Sequence, residues 1–166
     1  MKKGVHCIRG GFNEAHVPSD PHRFNLDNGD FETNMKIQEI QLINTGCENG
    51  SLDPGNSSIF VQVGISAAGA TPVATSVAGV TDQFGLDLTN TGAIAWATWG
   101  TDDGWTIILD PDHIVPEDLY INAWTITTGG GLSILNSPIG YHIEMKQVKS
   151  TGTEALLQVV KQTSAN

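Results

Sequence analysis

Alternation of apolar and polar residues with a period of two is the feature that most narrows what this chain can fold into. Ile59, Val61, Val63 and Ile65 alternate with Phe60, Gln62 and Gly64, and Ile139, Tyr141, Ile143 and Met145 alternate with His142, Glu144 and Lys146. Successive side chains of a strand point to opposite faces, so such runs write one buried and one outward face. Further extended segments are expected at Phe24 to Leu26, Met35 to Ile43, Thr71 to Ala78 (weakly) and Asp118 to Thr127. Gly92 to Trp99 and Trp105 to Leu109 flank a polar, glycine-bounded turn and read as a hairpin. Between Ile37 and Ile40 the apolar phase slips, which predicts a bulge or a strand buried on both faces.

Breaks between these runs are loop-like: 44–57 is rich in Gly, Asn, Ser and Pro, Gly79 to Asn90 follows suit, and Gly129-Gly130-Gly131 is a flexible turn. Asp110-Pro111-Asp112 stops the strand before it, because proline cannot donate to a ladder. Helical periodicity is confined to the end of the chain. There Thr151-Gly152-Thr153-Glu154 has the capping-box form and Leu156, Leu157, Val159 and Val160 follow within two turns. The 166 residues suit one domain. The expected fold is all-β, a single jelly-roll-like antiparallel sandwich of about eight strands at spacings of roughly ten residues. Its parts are an extended N-terminal arm at 1–23, a sandwich body at 24–150, and a C-terminal helix and tail at 151–166.

Charge is unevenly spread. The net charge is −10, and no Lys or Arg falls between Lys36 and Lys146, a stretch holding twelve of the 18 acids. An acidic body argues against specific binding to nucleic acid, which calls for a basic face, and the weakly basic termini are too sparse for strong phosphate contact. Two readings of the segregation stand: a solvated acidic surface, or a body that meets basic arms of other chains. Ser57 to Thr81 carries no charge at all, which suits a buried interface, since interface centres are depleted in charge. No apolar run reaches the roughly 20 residues of a membrane span, and the lysines at the start precede no apolar signal core.

Candidate chemistry is thin. No nucleophile elbow, phosphate-binding glycine loop or His-Glu-x-x-His motif occurs, so no catalytic residue is assigned. Cys7 and Cys47 form no CxxC pair; they are read as reduced thiols, with a bridge as the alternative if the arm folds back. His6, Cys7, His16 and His22 have no zinc-ribbon spacing, and no metal or cofactor site is assigned. The acids Asp102, Asp103, Asp110, Asp112, Glu117 and Asp118 cluster at strand ends and are read as solvated loop carboxylates, with a structural calcium as the alternative. His113 and His142 are too few for a cupin-type metal site. Trp96, Trp99, Trp105 and Trp124 are assigned to packing, with an aromatic platform for a sugar as the alternative; Trp96 and Trp99 must face opposite sides of their strand.

Arg23-Phe24-Asn25-Leu26-Asp27-Asn28-Gly29-Asp30-Phe31, Asp112-His113-Ile114-Val115-Pro116-Glu117-Asp118-Leu119-Tyr120-Ile121, Gly140-Tyr141-His142-Ile143-Glu144-Met145 and Glu154-Ala155-Leu156-Leu157-Gln158-Val159-Val160-Lys161 together resemble small virion proteins of bacteriophages with compact icosahedral shells. The resemblance implies a capsid-type jelly roll, a place in the virion and no catalytic residues. Its implied partners are copies of the same chain and other coat proteins. The competing expectation is a carbohydrate-binding β-sandwich module of a fibre or a secreted enzyme.

Overall fold

The computed structural model describes residues 5–26, 33–44, 58–75, 83–85, 92–100, 104–126, 131–135, 137–149, 151, 153–154, 156–157 and 160. In chain order the strands are β1 (Val5–Phe12), β2 (His22–Asn25), β3 (Thr33–Asn44), β4 (Ser58–Gly64), β5 (Val73–Thr75), β6 (Gln83–Gly85), β7 (Ala93–Gly100), β8 (Gly104–Leu109), β9 (Asp118–Ile126), β10 (Leu132–Ser133) and β11 (Ile139–Lys149). One sheet has the order β1-β11-β3. The other runs β10-β9-β4-β7-β8, with β2 also on β9. β5 and β6 form a separate two-stranded ribbon.

The alternation sets which faces meet. Ile59, Val61 and Val63 of β4 and Leu119, Ile121 and Ala123 of β9 share one core with Ile37, Ile40 and Leu42 of β3 and Ile139, Tyr141, Ile143 and Met145 of β11. Each buried Ile or Leu contributes about 1.5–3 kcal/mol over its exposed state, and this layer is where the two sheets adhere. The phase slip in β3 is a bulge: Glu39 pairs with Glu144 and Ile37 with Met145, which leaves Gln38 as the extra residue. Without it, Ile40 and Leu42 would face solvent, because a one-residue shift inverts every side chain that follows.

Connectivity is that of a jelly roll. β1 lies in the three-stranded sheet, β2 in the larger one, β3 returns, and β4, β7 and β8 cross again. The chain then touches the first sheet at the Met35–Val115 bridge before β9 and β11 repeat the crossing. The Val5–Phe12 stretch, expected as part of a loose arm, is instead an edge strand paired along its whole length with β11. Its core-facing positions are His6, Ile8, Gly10 and Phe12, so only Ile8 and Phe12 are apolar there and no period of two shows in the sequence. The boundary placed at residue 23 therefore has a sandwich strand on its N-terminal side.

A second layer covers the back of the larger sheet. Phe60, Gln62 and Gly64 point away from the core, opposite Trp124, Asn122 and Tyr120 of β9. A 3-10 turn, Ala68–Ala70, lies on this side: Gln62 donates its Nε2–H to the Gly69 carbonyl at 2.7 Å, and a Cβ on Gly64 would sit 2.5 Å from the Gly69 carbonyl carbon. Glycine is required at 64 by close backbone approach. At the far end, Thr153, Glu154, Leu156, Leu157 and Val160 are helical, and the Glu154 carboxylate accepts the Thr151 backbone N–H at 3.0 Å and its hydroxyl at 2.9 Å. No helix among the described residues is long and apolar enough to cross a membrane.

Candidate interaction surface

The tryptophans divide two and two. Trp99 and Trp105 are directly paired across the β7–β8 hairpin, edge to face at 5.4 Å between ring centroids, and pack against the core. Trp96 and Trp124 lie on the opposite face; Trp124 is fully buried and stacks on Phe60 at 6.3 Å and 17°. The aromatic platform is thereby corrected: a flat sugar-stacking surface needs exposed rings side by side, whereas two of these are buried under the second layer and two are set edge to face. The packing assignment describes them.

Two of the N-terminal candidates, His16 and His22, do come together, but around the ring of Phe12. Phe12 stacks on His22 at 4.4 Å and lies 4.5 Å from His16. His22 Nδ1 is 3.1 Å from the Tyr141 hydroxyl, and His16 Nε2 is 2.9 Å from Asn122 Oδ1. Burial, helped by the neighbouring His16, lowers the His22 pKa, and burial raises that of Tyr141. This cluster straps the β1–β2 crossing to both sheets. No group of three or more metal-ligating side chains occurs among the described residues. Cys7 is exposed on β1, and Cys47 lies outside the described residues, as do Asp102 and Asp103.

Of the remaining acids, Asp118 is held by Arg23 at 2.8 Å, and this hydrogen bond to the carboxylate raises the guanidinium pKa. Asp110 supplies structure through its backbone. Its carbonyl accepts the His113 Nδ1–H, while His113 Nε2 accepts the Ile37 N–H at 2.8 Å. The ring is buried, which lowers its pKa despite the Asp110 carbonyl. With Met35 and Val115 exchanging backbone bonds of 3.0 and 2.8 Å, His113 ends a fourth strand of the smaller sheet almost as soon as it starts. The pairing of His113 with Ile37 is a relation across 76 positions that no local signal in the sequence carries.

Among the described residues, two surfaces are suited to contacts. The outward face of the β1-β11-β3 sheet gathers basic residues: Lys36 lies opposite Lys146, and Arg9 opposite His142, with Glu39 opposite Glu144 between those rows. Beside it, Lys36, Asp112, Ile114, Val148, Lys149, Glu154 and Leu157 line an open groove of about 520 Å³. The second surface is the uncharged outer edge of β8, where Ile108 is 52% exposed.

No family model and no curated protein sequence matches the chain. Solved structures do match in fold. Merkel cell polyomavirus VP1 in complex with 3′-sialyllactosamine superposes with a TM-score of 0.51 at 8% identity, over 89% of this chain and 96% of that one. Trichodysplasia spinulosa-associated polyomavirus VP1 gives 0.51 at 10% identity in complex with 3′-sialyllactose, over 89% and 95% of the two chains. The same protein in complex with GM1 oligosaccharide gives 0.50 at 9%, over 89% and 96%. This chain has the jelly-roll β-sandwich fold seen in these viral capsid proteins.

Proposed function

We propose that the chain is a non-enzymatic structural subunit of a virus particle, of the bacteriophage kind that its sequence resembles. It acts in the virion through contacts with copies of itself and with other coat proteins. The observation that supports this reading is that the fold of a viral capsid protein spans 89% of the chain. Among the described residues, the larger sheet also ends on an uncharged strand, β8, whose outer edge has no neighbouring strand, a feature suited to contact. Size-exclusion chromatography with light scattering, followed by electron microscopy of concentrated protein, tests it. Oligomers or shells are expected; a strict monomer at every concentration overturns it.

A second reading, glycan binding, is favoured by the oligosaccharides held by the VP1 proteins of similar fold. On this chain such a site would lie on loop surfaces, because the tryptophans are committed to packing. A broad glycan array with no ligand retires it.

A further inference from the structure

We propose that the outer edge of β8 is a self-pairing surface, on which two copies of this chain join antiparallel to make one continuous sheet. This deepens the structural-subunit reading by naming a contact, and rests on it.

Four observations carry the inference. Among the described residues β8 is the last strand of its sheet, and its sequence, Gly-Trp-Thr-Ile-Ile-Leu, contains no charge and no proline. Edge strands of soluble monomers are normally blunted by lysine, proline, a bulge or a cover, because their free N–H and C=O groups template another strand. Here no register shift interrupts the β7–β8 ladder. Each face of β8 exposes an isoleucine: Ile108 on the back is 52% exposed, and Ile107 on the core side is 36% exposed.

The core-side exposure has a geometric cause. Ile40 and Leu42 of β3 lie over Val61 and Val63 of β4 and Ala95 and Ala97 of β7, with Ile107 at the rim. The smaller sheet thus ends above β7 and β8 overhangs it. A second copy brought edge to edge meets no obstruction from the smaller sheet. The indole N–H groups of Trp99 and Trp105, beneath this overhang, are buried without an acceptor, so the region is unsatisfied in the lone chain.

Charge singles out a second copy as the occupant that this edge suits. Copies carrying a net −10 repel one another, and least where charge is absent; β7 and β8 carry none. A two-fold axis normal to the sheet must pair residues of the same face. Centred on Ile107, it sets Ile107 against its own copy, Thr106 against Ile108 and Trp105 against Leu109, so that every pair but the last joins two β-branched residues and the last sets an aromatic ring against an aliphatic chain. It also sets Asp110 of each copy opposite Gly104 of the other, within a pair of chains that each carry a net −10. Added salt should therefore tighten the dimer rather than loosen it.

The test uses the full chain with Cys7 and Cys47 replaced by Ser. Ile107→Cys should form an intermolecular disulfide under mild oxidation, whereas Thr106→Cys, which faces a different residue, should cross-link at least tenfold less. Ile107→Lys should abolish the concentration-dependent dimer at unchanged circular dichroism, and wild-type dimerisation should rise with salt. Equal cross-linking at 106 and 107, or dimers that survive Ile107→Lys, overturns the β8 contact while leaving self-association intact. A wild-type chain that never associates overturns both. Should Ile107→Lys fail to fold, Ile108→Lys, on the solvent side of the same edge, replaces it.

Discussion

His113 accepts the backbone N–H of Ile37 through Nε2 at 2.8 Å, a side chain standing where the carbonyl of a fourth strand would be. An amide buried in a sheet needs an acceptor, and the connection from β8 to β9 supplies one with a ring rather than with more strand.

Replacing His113 by Ala should cost about 1–3 kcal/mol for the orphaned amide, with a further loss from the cavity. Urea unfolding measures it. His113→Gln, which keeps an acceptor, should recover part of the loss.

The same ring makes stability depend on pH. Burial holds the His113 pKa below the usual histidine value, and burial does the same to His22. The groups facing His113 are Lys36, which lowers its pKa further, and Asp110, which raises it. The folded chain therefore binds fewer protons than the unfolded chain. The stabilisation is complete above the ordinary value of about 6.5 and is lost as pH falls from there through the lowered native value. Unfolding midpoints should decline below about pH 6.5, and the His113→Gln variant should show a shallower decline, with His22 supplying the remainder.

Gly64→Ala should destabilise the fold by about 1–3 kcal/mol. The new methyl would meet the Gly69 carbonyl carbon at 2.5 Å and its oxygen at 2.7 Å, both of them backbone atoms that cannot swing aside. Thermal unfolding with near-ultraviolet circular dichroism reads the result. The adjoining Trp124 signal should change with it, because the 3-10 turn and the indole share the back layer.

Trp124→Ala should cost about 3–5 kcal/mol. Trp124→Phe should cost clearly less, since it retains the stack on Phe60 and removes an indole N–H that is buried without an acceptor. A double-mutant cycle with Phe60→Leu should return a coupling of about 0.5–1.5 kcal/mol.

Tyr141→Phe should cost about 1 kcal/mol through loss of the hydroxyl that reaches His22. Gly10→Ala should cost more, because a methyl there collides with the Tyr141 ring and hydroxyl, and the phenol would have to leave its place. Denaturant midpoints of the two variants and their combination separate the effects: with the hydroxyl absent, the Gly10→Ala penalty should shrink.

Local chemistry alone determined much of this molecule. Alternation at Ile59–Ile65 and Ile139–Met145, the slip between Ile37 and Ile40 and the glycine-bounded hairpin all follow from the geometry of a few consecutive residues and are present in the fold, as is one half of the Thr151–Glu154 cap, the carboxylate accepting the Thr151 N–H. The opposed directions of Trp96 and Trp99 belong with them. Tertiary structure decided the rest. Val5–Phe12 is a strand because β11 lies beside it, not because its own pattern demands one. Trp124 is buried against Phe60, a partner 64 positions away on the neighbouring strand, and His113 is an acceptor because β3 passes within 2.8 Å. β8 is an edge because, among the described residues, no other strand comes alongside it. Periodicity is fixed by bonds between neighbours in the chain, whereas edges, covers and hydrogen-bond partners are fixed by segments scores of residues away, brought near only once the two sheets have closed on their common core.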